Sequence, residues 1–196
     1  VSRRNLYSAY FTFFDNHFDV AEQLPKEYVI NFNEVKRNSY SEMRVTVNNQ
    51  QFGDVINDNS YTDDFYRYHD IFHFTFAALL GWSPCTRAML KRKRKSDSTI
   101  DRIEDGARAI ITEESISMII FTEAKRKKYF ENVKEVSKTT LKTIKELTNG
   151  FEVRNRTGAD WEDAIIKSYE VFRFLIENKG GTVKFDALHK HIQYGC

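Results

Sequence analysis

The chain has 196 residues, of which 41% are hydrophobic and 14% aromatic, so one domain, with or without a small appendage, can bury a substantial core. Its formal net charge of only +2 excludes the basic field of a dedicated nucleic-acid coat protein, and no apolar run reaches the roughly 18 residues of a membrane span. Because Cys85 and Cys196 are too few for a disulfide framework and no apolar signal segment follows Val1, we expect a reduced, cytoplasmic setting.

The first 26 residues are predicted to form an N-terminal helix or a connector, because apolar residues three and four apart continue until Pro25. Residues 27–196 form the predicted main domain. Within it, residues 27–52 are predicted to form an antiparallel β-hairpin. Its two strands are indicated by alternating apolar side chains, at Tyr28, Ile30, Phe32, Met43, Val45 and Val47.

A central helix is predicted from about Asp64 to Leu80. Asp64 lies in an acidic stretch that suits a helix start, and Gly81 suits a left-handed helix end. Ser83 is a predicted N-cap of the next helix, which has Pro84 at its first position.

The rest of the chain is predicted to be mostly helical. A long helical pattern covers residues 98–121, in which Gly106 marks either a close packing contact or a break. Two further helices are predicted over residues 129–147 and 161–178, before a short strand at 182–185. The predicted fold class is therefore mainly α: a helical bundle of about five to six helices with a small N-terminal β-hairpin.

His69 and His73 form the first candidate site. Histidines four apart lie on one face of a helix, where both imidazoles can bind one divalent metal ion, and Asp70 adds a carboxylate. The glutamate that serves as general base in the helix motif of zinc proteases is missing, so a protease is not indicated. The alternative is a hydrogen-bonded pair of half-buried histidines, since a metal site needs three or four ligands.

Acidic residues among isoleucines form the second candidate. Glu104 and Glu114 are poorly placed for solvation, and a buried carboxylate needs a metal or an arginine as its partner. Carboxylates and imidazoles on facing helices would form a site for Mg²⁺, Mn²⁺ or Zn²⁺ that activates water and braces phosphate oxygens. The alternative is a charged helix face, on which Glu104 pairs with Arg108 one turn away.

A basic run after Arg87 forms the third candidate. Beside the acidic and histidine residues it would clamp phosphate. The residues assigned to phosphate binding are Arg87, Lys91, Arg92, Arg94 and Arg108. The alternatives are a solvated helix end and a nucleic-acid or nuclear-localisation patch. An aromatic set either stacks a base or belongs to the core, and it comprises Tyr66, Tyr68, Phe72, Phe74 and Trp82.

Several longer strings, in a fixed order, resemble one family. They are YRYHDIFH at 66–73, LGWSP at 80–84, LKRKRKSD at 90–97, IEDGARA at 103–109 and EESIS at 113–117, after a stretch rich in Gly, Asp and Asn at 53–64. Together they resemble the C-terminal domain found on MazG-type nucleoside triphosphate pyrophosphohydrolases. The resemblance covers about residues 25–192.

The resemblance implies divalent-metal chemistry and homo-oligomers. The MazG catalytic domain is all-α and holds Mg²⁺ with paired acids on two helices, so Mg²⁺ or Mn²⁺ is expected first, with Zn²⁺ as the alternative. This chain departs from that pattern. Ser117 stands where the Glu-Glu-x-x-Asp motif has its Asp, and the helix of His69 and His73 stands where a Glu-x-x-Glu helix is expected. The chain is therefore either a companion domain with its own site or a diverged bundle.

We expect a metal-dependent nucleotide phosphoanhydride hydrolase with a His/Asp/Glu site between helices. The catalytic residues would be His69, Asp70 and Glu114. The metal would be held by His69, His73, Glu104 and Glu114. The alternative is a non-catalytic regulatory module that binds a nucleotide or nucleic acid and partners a MazG-type catalytic domain. No membrane contact is expected.

Overall fold

Five strands form one antiparallel sheet in this computed structural model, which describes residues 13–48, 50–51 and 55–196. The strands are β1 (Glu27–Lys36), β2 (Ser41–Val47), β3 (Gln50–Gln51), β4 (Gly180–Asp186) and β5 (His191–Gly195). Their order in the sheet is β3-β2-β1-β4-β5, so β1 lies at the centre.

One face of the sheet is apolar because side chains alternate along each strand. On β1, Ile30 lies opposite Val47 of β2 and Val183 of β4, and all three are buried. Two residues further along, Phe32 lies opposite Val45. This face forms one side of the hydrophobic core.

Six α-helices are found in the described part of the chain. They are α1 (Asp70–Leu80), α2 (Pro84–Met89), α3 (Ser98–Ile103), α4 (Ala107–Arg126), α5 (Lys138–Thr148) and α6 (Gly158–Asn178). None of them is long and apolar enough to cross a membrane.

α1 is buried along its whole length between the sheet and α6. On the sheet side, the hydroxyl of Tyr28 donates to the carbonyl oxygen of Phe74 at 2.6 Å. On the other side, the ring of Phe72 packs against Tyr169 and Phe172 of α6, with centroid distances of 4.7 and 5.4 Å. Polar side chains on α1 are therefore enclosed by protein. Each of them lowers the stability of the fold unless it has a hydrogen-bond or ion-pair partner.

The ends of α1, α2 and α4 follow from local sequence signals. Gly81 ends α1 in the left-handed conformation, with φ of 69°, and the Ser83 side chain accepts from the Thr86 backbone N–H, as predicted. Gly106 separates α3 from α4, and a larger residue does not fit there, because a Cβ at this position would lie 2.2 Å from the carbonyl oxygen of Arg102. The helix break at Gly106, one of the two alternatives that the sequence allows, is therefore observed.

Other predicted boundaries are wrong. α1 is preceded by a 3-10 turn, Tyr66–Tyr68, and begins later than predicted. The helix predicted over 129–147 begins only at α5, because Ser137 caps it and several residues before it have positive φ. Residues 1–12 of the predicted N-terminal helix lie outside the described residues, and residues 13–24 contain a 3-10 helix, Val20–Glu22.

The predicted fold class, a mainly α bundle with a small β-hairpin, is wrong. β1 and β2 form the predicted hairpin, but β1 also pairs with β4, and β5 extends the sheet, so the fold is α+β. The β1–β4 pairing joins the two ends of the domain, which local periodicity cannot reveal. β5 lacks apolar alternation because it is an edge strand whose residues are mostly exposed or only partly buried.

A chain of buried ion pairs fixes the connections around α2 and α3. Asp15 accepts from Arg87 at 2.7 Å, and Arg87 Nε lies 3.6 Å from Asp105 Oδ1. Arg94 Nη2 lies 2.7 Å from the same oxygen and 2.9 Å from Glu152 Oε1. Asp105 is fully buried between the two guanidinium groups. It therefore carries the negative charge that allows both arginines to be enclosed.

Replacing Asp105 tests this ion-pair chain. The Asp105→Asn variant leaves Arg87 and Arg94 enclosed with too little negative charge, so we expect its free energy of unfolding to fall by about 3–5 kcal/mol. Urea denaturation measures this loss. The control is Asp163→Asn, which removes a surface pair with Lys167 on α6 and should cost less than about 1 kcal/mol. Equal losses in the two variants would contradict this account.

Candidate functional site

α1 and α4 meet at one buried imidazole. His69 and His73 lie one turn apart, with ring centroids 5.6 Å from each other. Nδ1 of His73 lies 2.9 Å from Oε1 of Glu113, and Nε2 of His73 lies 3.4 Å from Oε1 of Glu114. Two adjacent residues of α4 thus contact the two nitrogens of the same side chain.

Glu113 is the fully buried carboxylate beneath this imidazole. Its Oε1 also accepts from the hydroxyl of Ser83 at 2.7 Å, and its Oε2 accepts from the backbone N–H of Cys85 at 2.8 Å. A carboxylate oxygen only accepts hydrogen bonds, so we assign the proton of the His73–Glu113 hydrogen bond to Nδ1 of His73. This bond fixes the orientation of the imidazole ring.

His73 Nε2 is buried and has no well-formed hydrogen bond among the described residues, but it makes an ion-pair contact of 3.4 Å with Oε1 of Glu114. Two groups of potential metal ligands meet at His73, and in each group the ligand atoms lie within 4.8 Å of one another. One group is His69, Asp70 and His73, and the other is His73, Cys85 and Glu114. The arrangement therefore gathers imidazole, carboxylate and thiol donors around His73.

The two carboxylates beside His73 differ in their electrostatics. Burial raises the pKa of Asp70 above its ordinary value. Burial also acts to raise the pKa of Glu114, but the imidazole of His73 at 3.4 Å, helped by the charge of His69, lowers it to about 2. For His73, burial opposes the charged form, yet the acidic groups of Cys85 and Glu113 raise its pKa well above the ordinary value. Glu114 is therefore the acid that stays ionised.

A cavity of about 660 Å³ is related to the cluster through Tyr66, although none of the candidate metal ligands lines it. Tyr66 lines it and stacks on His69, with ring centroids 4.4 Å apart and planes within 4°. Phe121 adds a second aromatic wall. Arg126 adds positive charge, whereas Lys125 is paired with Asp64 of the same wall at 2.8 Å. The cavity thus combines aromatic surface with charged groups of both signs, and Tyr66 relates it to His69.

The family comparison agrees with this chain over almost its full length, because the model of the MazG C-terminal domain matches residues 9–195. The chain belongs to the MazG C-terminal domain family. The sequence resemblance is thereby confirmed. Comparison with curated proteins and with solved structures gives no match.

Four predicted site residues of this MazG C-terminal domain lie together: His69, Asp70, His73 and Glu114. Glu104 does not join them. Its carboxylate accepts from the backbone N–H of Glu152 at 3.1 Å, and burial followed by the charge of Glu152 raises its pKa to about 7. The prediction assumed one continuous helix, but the break at Gly106 leaves Glu104 at the end of α3.

The basic residues assigned to phosphate binding are not gathered around the histidines. Arg87 and Arg94 are enclosed in the buried ion-pair chain, where acidic side chains occupy their donors. Arg92 donates to the carbonyl oxygen of Val20. Lys91 is exposed, and Arg108 lines a separate cavity.

The sequence analysis did not assign Cys85 or Glu113 to the site. A lone cysteine carries no spacing signal. Glu113, however, shares a spacing of three and four residues with core positions of α4, namely Ala109, Ile116 and Ile120, which are all buried. That period marks Glu113 as inward-facing and Glu114 as its neighbour at the edge.

Glutamine substitutions should separate the roles of the two adjacent acids. In Glu113→Gln, the amide N–H₂ must face either His73 and Ser83 or the Cys85 N–H, which are donors themselves. We therefore expect metal-free protein to lose about 2–3 kcal/mol of unfolding free energy in urea. Glu114→Gln is the matched control. Because the Glu114 side chain is 43% exposed, its loss should stay below about 1 kcal/mol. A larger loss for Glu114→Gln would contradict this assignment.

Proposed function

We propose that this domain is a divalent-metal-dependent hydrolase that cleaves a phosphoanhydride bond of a nucleotide. The observation that carries the proposal is the cluster at His73, in which the buried Nε2 lies 3.4 Å from Glu114 without a well-formed hydrogen bond and Asp70 and His69 lie nearby. A cation between Nε2 and Glu114 would replace this long contact with direct metal–ligand bonds. Membership of a MazG-related family is consistent with nucleotide chemistry.

His73 would hold the cation together with Glu114, with His69 as a further donor. A cation at this position can polarise a phosphate oxygen and lower the pKa of water. Glu113 would keep the imidazole in place through its hydrogen bond to Nδ1. The protein side chains thus supply both the ligands and their orientation.

The opposite pKa shifts of the Glu114 and Asp70 carboxyl groups support different roles for them in catalysis. Glu114 is ionised and half exposed, so it can accept a hydrogen bond from an attacking water and orient it. Asp70 has a raised pKa because it is buried, so it can keep a proton for the leaving group. Groups with environments that push their pKa values apart are suited to such a division.

The cavity beside Tyr66 would receive the nucleotide. Its volume of about 660 Å³ is within the roughly 300–1,000 Å³ typical of small-molecule sites. Tyr66 and Phe121 offer aromatic surface to a base, and Arg126 offers charge to phosphates, whereas Lys125 is paired with Asp64 at 2.8 Å. Arg126 would take the role that the sequence predicts for Arg87 and its neighbours.

A hydrolysis panel tests the activity. We expect the 196-residue chain to hydrolyse at least one nucleoside triphosphate with Mg²⁺, Mn²⁺ or Zn²⁺. Asp70→Asn and His73→Ala should each lower kcat/KM by about 100-fold or more. His189→Ala, at an exposed surface pair with Asp186, should retain activity.

Circular dichroism on each variant separates loss of fold from loss of chemistry. No hydrolysis by the wild type with any of the three metals would reject the proposal. Nucleotide binding without turnover would favour the alternative, a non-catalytic module.

Substrate binding is tested separately at Arg126, an exposed residue of the cavity wall. Arg126→Gln removes a charged donor to phosphate, so we expect KM to rise about tenfold with kcat little changed. Steady-state kinetics on the best nucleotide measure both constants. The control is Arg154→Gln, which is exposed and not part of the cavity lining. If both variants behave like the wild type, the nucleotide is bound elsewhere.

A further inference from the structure

The thiol of Cys85 beside His73 restricts which metal ions the cluster would bind. We propose that His73, Cys85 and Glu114 form a thiolate-containing site that selects a zinc-class transition metal over Mg²⁺ or Mn²⁺. The inference rests on the proposed function in one respect, since both place the cation at His73. It departs from the expectation of Mg²⁺ or Mn²⁺ drawn from the family resemblance.

The spacing of the three donor atoms fits a small tetrahedral ion. Nε2 of His73 lies 3.4 Å from Oε1 of Glu114, and Sγ of Cys85 lies 3.7 Å from the same oxygen. Ligands of tetrahedral zinc, at about 2.0–2.3 Å from the metal, are separated from each other by roughly 3.4–3.6 Å. The donors therefore need to move little to bind one ion.

A single buried carboxylate orients both the nitrogen and the sulfur donor. Glu113 accepts from Nδ1 of His73 through one oxygen and from the backbone N–H of Cys85 through the other. A carboxylate on the far nitrogen of a metal-binding histidine fixes the ring and strengthens it as a ligand. Here the same group also fixes the residue that carries the thiol.

The donor set decides the metal class. Thiolate and imidazole favour Zn²⁺ and similar ions, whereas Mg²⁺ requires oxygen ligands and keeps several waters. On binding, the thiol proton of Cys85 and any proton on Nε2 of His73 are released to solvent, and the thiolate and the imidazole bind the metal. His69 or a water can complete the coordination. The half-exposed Glu114 gives a route to solvent.

Cobalt substitution tests the thiolate directly. The chelator-treated 196-residue chain is titrated with Co²⁺ while the near-ultraviolet sulfur-to-cobalt band and the visible d–d bands are recorded. We expect one equivalent to bind in a four-coordinate spectrum that includes the sulfur band. Zn²⁺ should displace Co²⁺, and excess Mg²⁺ should not.

Two serine variants locate the sulfur. Cys85→Ser should lose the sulfur band, and its affinity for Zn²⁺ should fall by at least about 100-fold, as expected for loss of a direct ligand. The control is Cys196→Ser, because Cys196 is exposed and donates to Asn178. It should match the wild type. Absence of the band in the wild type, or its persistence in Cys85→Ser, overturns the inference.

The metal inference and the proposed function fail in different ways. Nucleotide hydrolysis supported by Mg²⁺ in zinc-free protein, with no sulfur band on adding Co²⁺, would overturn the inference and leave the function standing. A sulfur band that depends on Cys85, without hydrolysis of any nucleotide, would support the inference and reject the function. Because the wild-type spectrum alone can refute the inference, the test does not depend on the variants folding.

Discussion

The buried carboxylate of Glu113 is the interaction on which the candidate site depends. It belongs to α4, yet its donors are His73 of α1 and Ser83 and Cys85 at the start of α2. An enclosed carboxylate is tolerated only when hydrogen bonds replace its lost hydration. The three donors therefore fix the relative positions of three helices, and the cost of desolvating one acid determines the geometry of the whole cluster.

A second buried network makes that geometry possible by holding α2 from its other side. Arg87 of α2 is enclosed between Asp15 and Asp105, so α2 is tied to the N-terminal segment and to the α3–α4 connection. Cys85 lies two residues earlier and reaches Glu113. The arginines that would suit phosphate are thus used to position the donors, and in the cavity wall Lys125 is paired with Asp64 while Arg126 is exposed.

Features encoded locally were predictable from the sequence, and features that depend on distant contacts were not. The end of α1 at Gly81 and the cap at Ser83 follow from short-range backbone chemistry. The shared face of His69 and His73 follows from helix geometry. The pairing of β1 with β4 does not, because it joins the two ends of the domain. Glu104 was placed wrongly because the helical pattern of apolar residues continues through Gly106, whereas α3 ends at Ile103 and α4 begins at Ala107.

Because Glu113 and Glu114 are adjacent, α4 supplies both the buried carboxylate that orients His73 and the half-exposed carboxylate on the other side of its ring. Successive residues of an α-helix are turned by about 100°, so one acid faces the core and the next reaches the half-exposed edge. The imidazole of His73 lies between them and presents a different nitrogen to each. A rotation of α4 by one residue would put the exposed acid in the core and remove the donors of the buried one. The register between α1 and α4 is therefore a condition for the geometry of the cluster as well as for stability.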